Sequence, residues 1–414
     1  MALSEGVQAS LRFKVYSATA LSSTSELSPA SDPGASDGQL LRRVSHSLNL
    51  RKNTFQSQEI RDDRQVGDFR HGTRRVEGSI TGELSPGTYF DLIEAVLRAT
   101  KTATITRSNT VFTSVAADNG TSTFTFAASD PVSEGFAVGD LVRFNSLSES
   151  GNNRNFVITG FSGTSNRVMA VTPAPTTMTA DSAFSITRPG SRARIPASSH
   201  ASRLFAFEDY DGATDISRLF TECRMTGLRL SMPAEGMDTI ELMAMGRGMT
   251  VYTGGSAPFF ASPTAITSTG ITAGANGKVL VNGTAVGVIT GFEVALSMNA
   301  DAPSVRGQAF PPEILLGTAN VTGTVTALFE DSTMIGNFTA EDEISLLVWS
   351  DAGSSTTADA IVVYLPRIKF GAADVQRSGE GAQSITLPFQ ALRYLGSGIG
   401  IQQTTIQIHD TADS

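Results

Sequence analysis

Three short stretches of this chain occur twice, in the same order, each on a strand-like pattern. Val76-Glu77-Gly78-Ser79-Ile80-Thr81 lines up with Val321-Thr322-Gly323-Thr324-Val325-Thr326 at a shift of 245. Glu235-Gly236-Met237-Asp238-Thr239-Ile240-Glu241-Leu242 lines up with Glu380-Gly381-Ala382-Gln383-Ser384-Ile385-Thr386-Leu387 at a shift of 145. Upstream, His46–Leu50 matches Phe292–Leu296 in apolar alternation, one residue out of the first register. A chain that repeats itself in this way folds as two versions of one supersecondary unit. The first two markers lie 159 residues apart in the first copy and 59 apart in the second, so the first copy holds about one hundred extra residues. They fall after residue 100 and before residue 201.

The local patterns are those of strands. Ser45–Leu50, Val76–Leu84, Cys223–Ser231 and Phe292–Met298 alternate apolar and polar residues, the mark of half-buried β-strands. One helix is expected: Ser85-Pro86 offers an N-cap and a first-turn proline, and Tyr89, Leu92, Ile93, Val96 and Leu97 follow at helical spacing. That stripe reads as core packing. Leu21–Gly38, rich in Ser, Pro, Asp and Gly without periodicity, reads as a long loop. Within the extra residues, Phe124–Phe126, Phe136–Phe144, Asn155–Phe161, Val168–Val171 and Phe184–Ile186 predict a small sandwich or barrel of short strands. An insertion of this kind is expected at the periphery, dispensable for the rest of the fold. The fold class is therefore mainly β: two tandem β-sandwich or barrel units, each with one flanking helix. Residues 1–100 with 201–255 form the first unit, 101–200 the inserted domain and 256–414 the second unit.

Chemistry of the catalytic kind has no foothold. One cysteine, Cys223, excludes a disulfide framework and any multi-cysteine metal site, and its strand context reads as a buried, inert thiol. His46, His71, His200 and His409 are scattered without a second ligand at metal spacing. No phosphate loop, nucleophile elbow or dinucleotide fingerprint occurs. Asp209–Asp215 resembles a calcium loop but lacks the closing glutamate. Glu341-Asp342-Glu343 and Asp62-Asp63 are neighbours in sequence, and successive strand residues point apart. The expectation is no enzyme, no cofactor and no metal. The longest apolar runs, such as Ile361–Leu365, fall far short of the ~20 residues of a membrane helix, and Met1–Ser10 carries no secretory pattern.

The net charge of -9 argues against a grip on nucleic acid, which needs clustered cations. Its distribution is uneven. Residues 41–80 carry nine Arg and Lys against five Asp and Glu, whereas residues 291–414 carry five against fourteen. Opposite signs on two parts of one chain suit a protein that meets copies of itself.

The order of elements in Leu41–Leu97, with the closing hairpin Thr221–Met245, resembles the major tail tube protein family of long-tailed bacteriophages: a strand, a long charged loop, a returning V-x-G-[ST] strand, one amphipathic helix and a final hairpin. The stretch Ile289–Leu392 follows the same order, with a degenerate helix around Ser332–Phe338. The resemblance implies a structural virion protein that polymerises into stacked rings, the tail tube that conducts DNA through its lumen without binding it. Other tail proteins are its further partners. The place implied is the virion tail, assembled in the host cytoplasm, with no membrane span. Six copies of the fold per ring imply three chains here, with pseudo-sixfold symmetry; six chains per ring is the alternative. By the same resemblance Arg51–Thr73 is the loop that reaches neighbours, and the contact candidates are Arg51, Lys52, Arg61, Asp62, Asp63, Arg64, Asp68, Arg70, Arg74 and Arg75. Its counterpart, Ser297–Thr318, is nearly uncharged and holds Pro303, Pro311 and Pro312. Two other readings compete: a decoration or capsid-associated β protein, and a carbohydrate-binding or adhesin module carried by residues 101–200. The last predicts clustered exposed aromatics, yet the chain is 7% aromatic and its one tryptophan, Trp349, lies outside the insert.

Overall fold

The computed structural model describes residues 6–330, 332–377 and 381–413; Met1–Glu5 and Glu380, the first residue of the second repeat marker, lie outside them. The strands that matter here, in chain order, are β1 (Ala9–Val15), β2 (Asn49–Gln56), β3 (Phe69–Glu83), β4 (Ser191–Arg194), β5 (Phe205–Asp211), β6 (Ile216–Pro233), β7 (Thr239–Gly246), β8 (Ile289–Ser297), β9 (Asn320–Leu328), β10 (Ile344–Asp351), β11 (Ala360–Phe370), β12 (Asp374–Gln376), β13 (Ser384–Ala391) and β14 (Gln407–Asp410). Two short helices, α1 (Phe90–Val96) and α2 (Thr333–Thr339), occupy matching places after β3 and β9.

The backbone of the architecture is one antiparallel run of strands, β2-β3-β7-β6-β8-β9-β13-β12. Alternation makes one face apolar: Val76, Ile80, Leu228, Leu230, Ile240, Leu242, Val294, Leu296, Val321, Val325, Ile385 and Leu387 are buried. The other face carries Ser79, Thr81, Arg229, Glu241, Glu293, Thr322, Thr324, Thr386 and Gln390, half-buried or exposed. The first four strands belong to the first repeat and the last four to the second, so the two copies are joined through one continuous sheet.

The pairing registers confirm the duplication residue by residue. Val76 faces Gly246 across β3 and β7, and Val321 faces Ala391 across β9 and β13, the shifts of 245 and 145 seen in the sequence. Leu50 faces Val76 as Leu296 faces Val321, so the one-residue offset of the third marker is real and is absorbed in the connection between the paired strands. Even the irregularities repeat: the β5–β6 ladder slips between Phe205 and Phe207, and the β10–β11 ladder slips between Ile344 and Leu346. Bulges retained at matching places are specified features of a fold.

The repeated glycine of the V-x-G strand has a steric cause. A Cβ on Gly78 would lie 2.6 Å from the backbone of Leu48, and one on Gly323 would strike the Glu293 carbonyl and the Phe389 ring. Gly78→Ala and Gly323→Ala should each destabilise by about 2 kcal/mol or more, read as a lower Tm. Gly287→Ala, where nothing lies within 4 Å, should leave Tm almost unmoved.

The first helix is shorter than its periodicity predicts. Gly87 adopts φ +75 directly after Pro86, so Ser85–Thr88 closes as a turn and Tyr89, not Ser85, caps α1. Tyr89, Leu92, Ile93, Val96 and Leu97 are nonetheless all buried, as the stripe requires. Leu21–Gly38 forms no strand or helix.

The insert is an eight-stranded antiparallel sheet running from Ile105 to Arg188. Three of its strands, Ile105–Ser108, Phe112–Asp118 and Met178–Asp181, escape the sequence patterns, and Phe136–Asp140 is a turn, not a strand. The insert is not a pendant. Its aromatic core, including Phe124, Phe144 and Phe156, is continuous with Leu280, Leu347, Trp349, Ala360, Val362 and Tyr364 of the second unit. The insert therefore shares a core with the second unit instead of standing apart from it, and it covers the face of β10 and β11 that carries Leu347, Trp349, Val362 and Tyr364.

A buried polar seam completes the joint. Asp140 accepts from Arg192 at 2.6 Å and lies 3.8 Å from Arg188. The C-terminal β14 is paired on both sides, by β4 and β11. On it His409 accepts the Leu141 N–H at Nδ1 and donates from Nε2 to the Pro189 carbonyl. Burial pushes His409 down to about 4, and pushes Asp410 and Glu222 up to about 7. The signs oppose. The depressed histidine contributes stability that is complete above about 6.5 and lost as pH falls towards 4, whereas the raised carboxyls contribute stability that is complete near pH 4 and lost as pH rises through 7. His409→Gln removes only the first contribution. Its Tm should climb by about 3 °C between pH 7 and pH 4.5 relative to the wild-type profile, measured by thermal unfolding.

Candidate assembly interface

Both ends of the eight-strand sheet are open. Among the described residues β2 and the short strand Ser45–His46 pair only with β3, and β12 pairs only with β13. An exposed sheet edge carries a row of unpaired N–H and C=O groups, a template for another strand. In the middle of the sheet the corresponding edges are joined. Gly227 to Pro233 of β6 faces Ser297 to Gly291 of β8, with Arg229 bonded to Glu293 at 2.7 Å across the junction.

Beyond this edge the first repeat extends an arm. The stretch expected as a loop, Arg51–Thr73, is largely the end of the β2–β3 hairpin, and only residues 57–68 form its tip. Arg51 and Lys52 lie on β2, Arg70, Arg74 and Arg75 on β3, and Arg61, Asp62, Asp63, Arg64 and Asp68 at the tip. The charges are mostly spent within the arm. Arg61 bonds Asp63 through two nitrogens and approaches Glu59 at 3.8 Å. The tight Arg61 pairing and the Gln65 N–H hold the Asp63 carboxyl below the usual carboxylate range. Arg70 pairs with Asp68 at 2.7 Å, Arg51 and Arg75 with Glu77, and Arg74 with Glu26 at 2.7 Å. The arm also leaves four large apolar side chains uncovered: Phe55, Ile60, Val66 and Phe69 are 54–100% exposed. Lone exposed apolar groups are ordinary, but four on one hairpin are the mark of an interaction surface, and they serve both of its faces, because Phe55 faces Arg70 while Phe69 faces Gln56.

The counterpart in the second repeat takes a different course. Residues 298–319 fold back on the first unit. Ala309 accepts the Arg74 N–H at 2.8 Å, Ser304 bonds Thr73, Ile314 accepts from Arg224, and Pro312 accepts from Arg247. Arg247 is wholly buried beside Glu222, at 3.5 Å, and also holds the Ser22 carbonyl of the long N-terminal loop. These two residues fasten both loops, and sequence reasoning passed over them. Their only trace is an arginine set between Gly246 and Gly248 at the end of a strand, where a Cβ at either glycine would meet neighbouring atoms.

The acidic and thiol groups singled out in the sequence are engaged in the fold. Asp209, Asp211 and Asp215 are used by His46, by Ala213 and Thr214, and by Tyr210, as a hairpin turn. Cys223 is buried and its thiol is pushed well up by desolvation. Among the described residues no group of three metal-ligating side chains occurs, and no helix is long and apolar enough to cross a membrane.

A family model of phage tail tube proteins matches the chain twice, over residues 5–194 and 185–391. The two matches meet on the strands where the insert rejoins the main fold. No curated protein matches the sequence. With the family pattern found twice over nearly the whole length, and with the repeat visible in the ladders of the long sheet, the chain belongs to the phage tail tube protein family, as a structural tail protein with a duplicated unit.

Proposed function

We propose that three of these chains close into a ring, and that rings stack into the tube through which the phage genome passes to the host. The observation that carries this reading is the eight-strand sheet: two copies already joined edge to edge, with one open edge of each kind at its ends. A head-to-tail interface that closes makes a ring, and a closed sheet has no edges left. Six units per ring then require three chains. The hydroxyl-rich and partly acidic uncovered face of the sheet, with Ser79, Thr81, Glu241, Thr322, Thr324 and Thr386, suits a lining past which a polyanion slides without adhering. The arm supplies contacts between subunits or rings, through its exposed apolar residues and through Arg61, Asp62, Asp63 and Arg64. The insert sits on the outside, since it packs on β10 and β11 and leaves the uncovered face of the long sheet alone. Assembly takes place in the host cytoplasm, with other tail proteins at the ends of the tube. Electron microscopy of purified assemblies tests the reading: tubes whose rings show three identical chains support it, whereas strictly sixfold-related chains or monodisperse monomers contradict it.

A further inference from the structure

The duplication allows the contact between chains to be specified, not merely asserted. The junction between β6 and β8 joins the end of one copy to the start of the next within a single chain. Every strand in it has an equivalent at the two open edges. The shift of 145 carries Gly227–Ser231 of β6 onto Ala372–Gln376, and the offset of 246 carries Glu293–Ser297 of β8 back onto Ser47–Arg51. The equivalence is exact in register on the paired side: Arg229 faces Glu241 as Asp374 faces Thr386, and Leu230 faces Ile240 as Val375 faces Ile385.

Resting on the ring reading above, we propose that Ala372–Gln376 of one chain pairs antiparallel with Ser47–Arg51 of a second copy, in the register of the internal junction. Asp374 then faces Asn49, because Arg229 faces Ala295, and Val375 faces Leu48, because Leu230 faces Val294. The chemistry at these positions agrees. Leu48 is buried, while Ala373, Val375 and Leu50 are partly buried at the margin of the core cluster, so the two apolar margins meet and the core continues across the seam. Ser47, Asn49, Asp374 and Gln376 are exposed and polar on the opposite face. At the internal junction the diagonal pair is Arg229 with Glu293. At the seam the opposite diagonal brings Asp374 beside Arg51, which holds only a 3.9 Å contact to Glu77 in the single chain. The ion pair is restored with its signs exchanged between strands, and that exchange makes the seam distinct from the internal junction.

Residues directly opposite in an antiparallel ladder have Cα atoms ~4.5–5.5 Å apart, within the range a disulfide spans, whereas a two-residue slip adds ~6.8 Å along the strand and exceeds it. The test is therefore a cysteine scan of assembled full-length protein. Asn49→Cys with Asp374→Cys is oxidised by copper–phenanthroline in air, blocked with N-ethylmaleimide and run on non-reducing gels. Arg229→Cys with Ala295→Cys serves as the intrachain control, and Ser47→Cys or Arg51→Cys with Asp374→Cys as slipped registers. The native Cys223 is buried and stays out of the reaction. Cross-linking of the Asn49–Asp374 pair at least ~10-fold faster than either slipped pair, with products ending at the covalent trimer, supports the seam and the ring of three. The same preference with products continuing to six chains upholds the seam and overturns the three-chain ring. Tubes that form by electron microscopy without that preference overturn the seam and leave the ring reading standing.

Discussion

Excision of residues 104–189, with a short Gly/Ser bridge, should yield a chain that no longer folds into its native state. The ends to be bridged are close, since Thr102 and Arg192 exchange backbone hydrogen bonds, so failure would not come from strain at the splice. It would come from uncovering Leu280, Leu347, Trp349, Ala360, Val362 and Tyr364, all now within 4% of complete burial. At ~1.5–3 kcal/mol for each large side chain returned to water, the loss is on the order of 10 kcal/mol, about the whole stability of a typical domain. Loss of Asp140 would also strand the buried Arg192 guanidinium without its carboxylate, itself a penalty of about 3–5 kcal/mol. Near-ultraviolet circular dichroism of Trp349 and binding of a hydrophobic dye report the outcome. A soluble deletion protein with native signals that still builds tubes would show the insert to be an ornament.

The second large effect concerns the arm. Arg61→Glu with Arg64→Glu should leave the subunit folded and stop its polymerisation. Arg61 is bound to Asp63 and lies near Glu59; the double reversal places six carboxylates, at positions 59, 61, 62, 63, 64 and 68, on one hairpin tip, and the tip must open. The core is untouched, because the nearest buried residue of that hairpin is Val76 on β3. The subunit's far-ultraviolet spectrum and Tm should match the wild type, while the concentration needed for tube formation rises at least ~100-fold, as for the loss of a shielded interface charge. Sedimentation at physiological salt measures it. Tubes at wild-type concentration would show that the tip makes no essential contact.

Much of this molecule could be read before it was seen, and what could be read shares one property. The repeats, the strands Val76–Leu84 and Phe292–Met298 and the apolar stripe of Tyr89–Leu97 are local patterns that a half-buried face imposes on its own residues. The repeated glycine was legible for the same reason: close backbone approach leaves no other choice at Gly78 and Gly323. The start of α1 and the short strands of the insert were misread locally, but the larger misreadings are matters of distance along the chain. That Trp349 shares a core with Phe124 and Phe144, that His409 receives the Leu141 N–H and that Arg247 holds Pro312 depend on contacts across 65 to more than 260 residues. No window of sequence contains both partners. The arm stands between these cases. Its charges were visible, but their neutralisation inside the hairpin, and the exposure of Phe55, Ile60, Val66 and Phe69 on its two faces, required the pairing of β2 with β3.

The fate of the second loop has a geometric consequence. Because residues 298–319 lie down on the first unit, only one of the two repeats in each chain offers a free arm. A ring of three such chains would carry six repeats of the fold but three arms, spaced at 120°. A ring with six equal arms can seat on the ring beneath it in six indistinguishable rotations, and one with three arms in only three. Folding one loop away thus halves the number of azimuths that a growing tube must choose among, and turns a duplicated fold into a keyed joint.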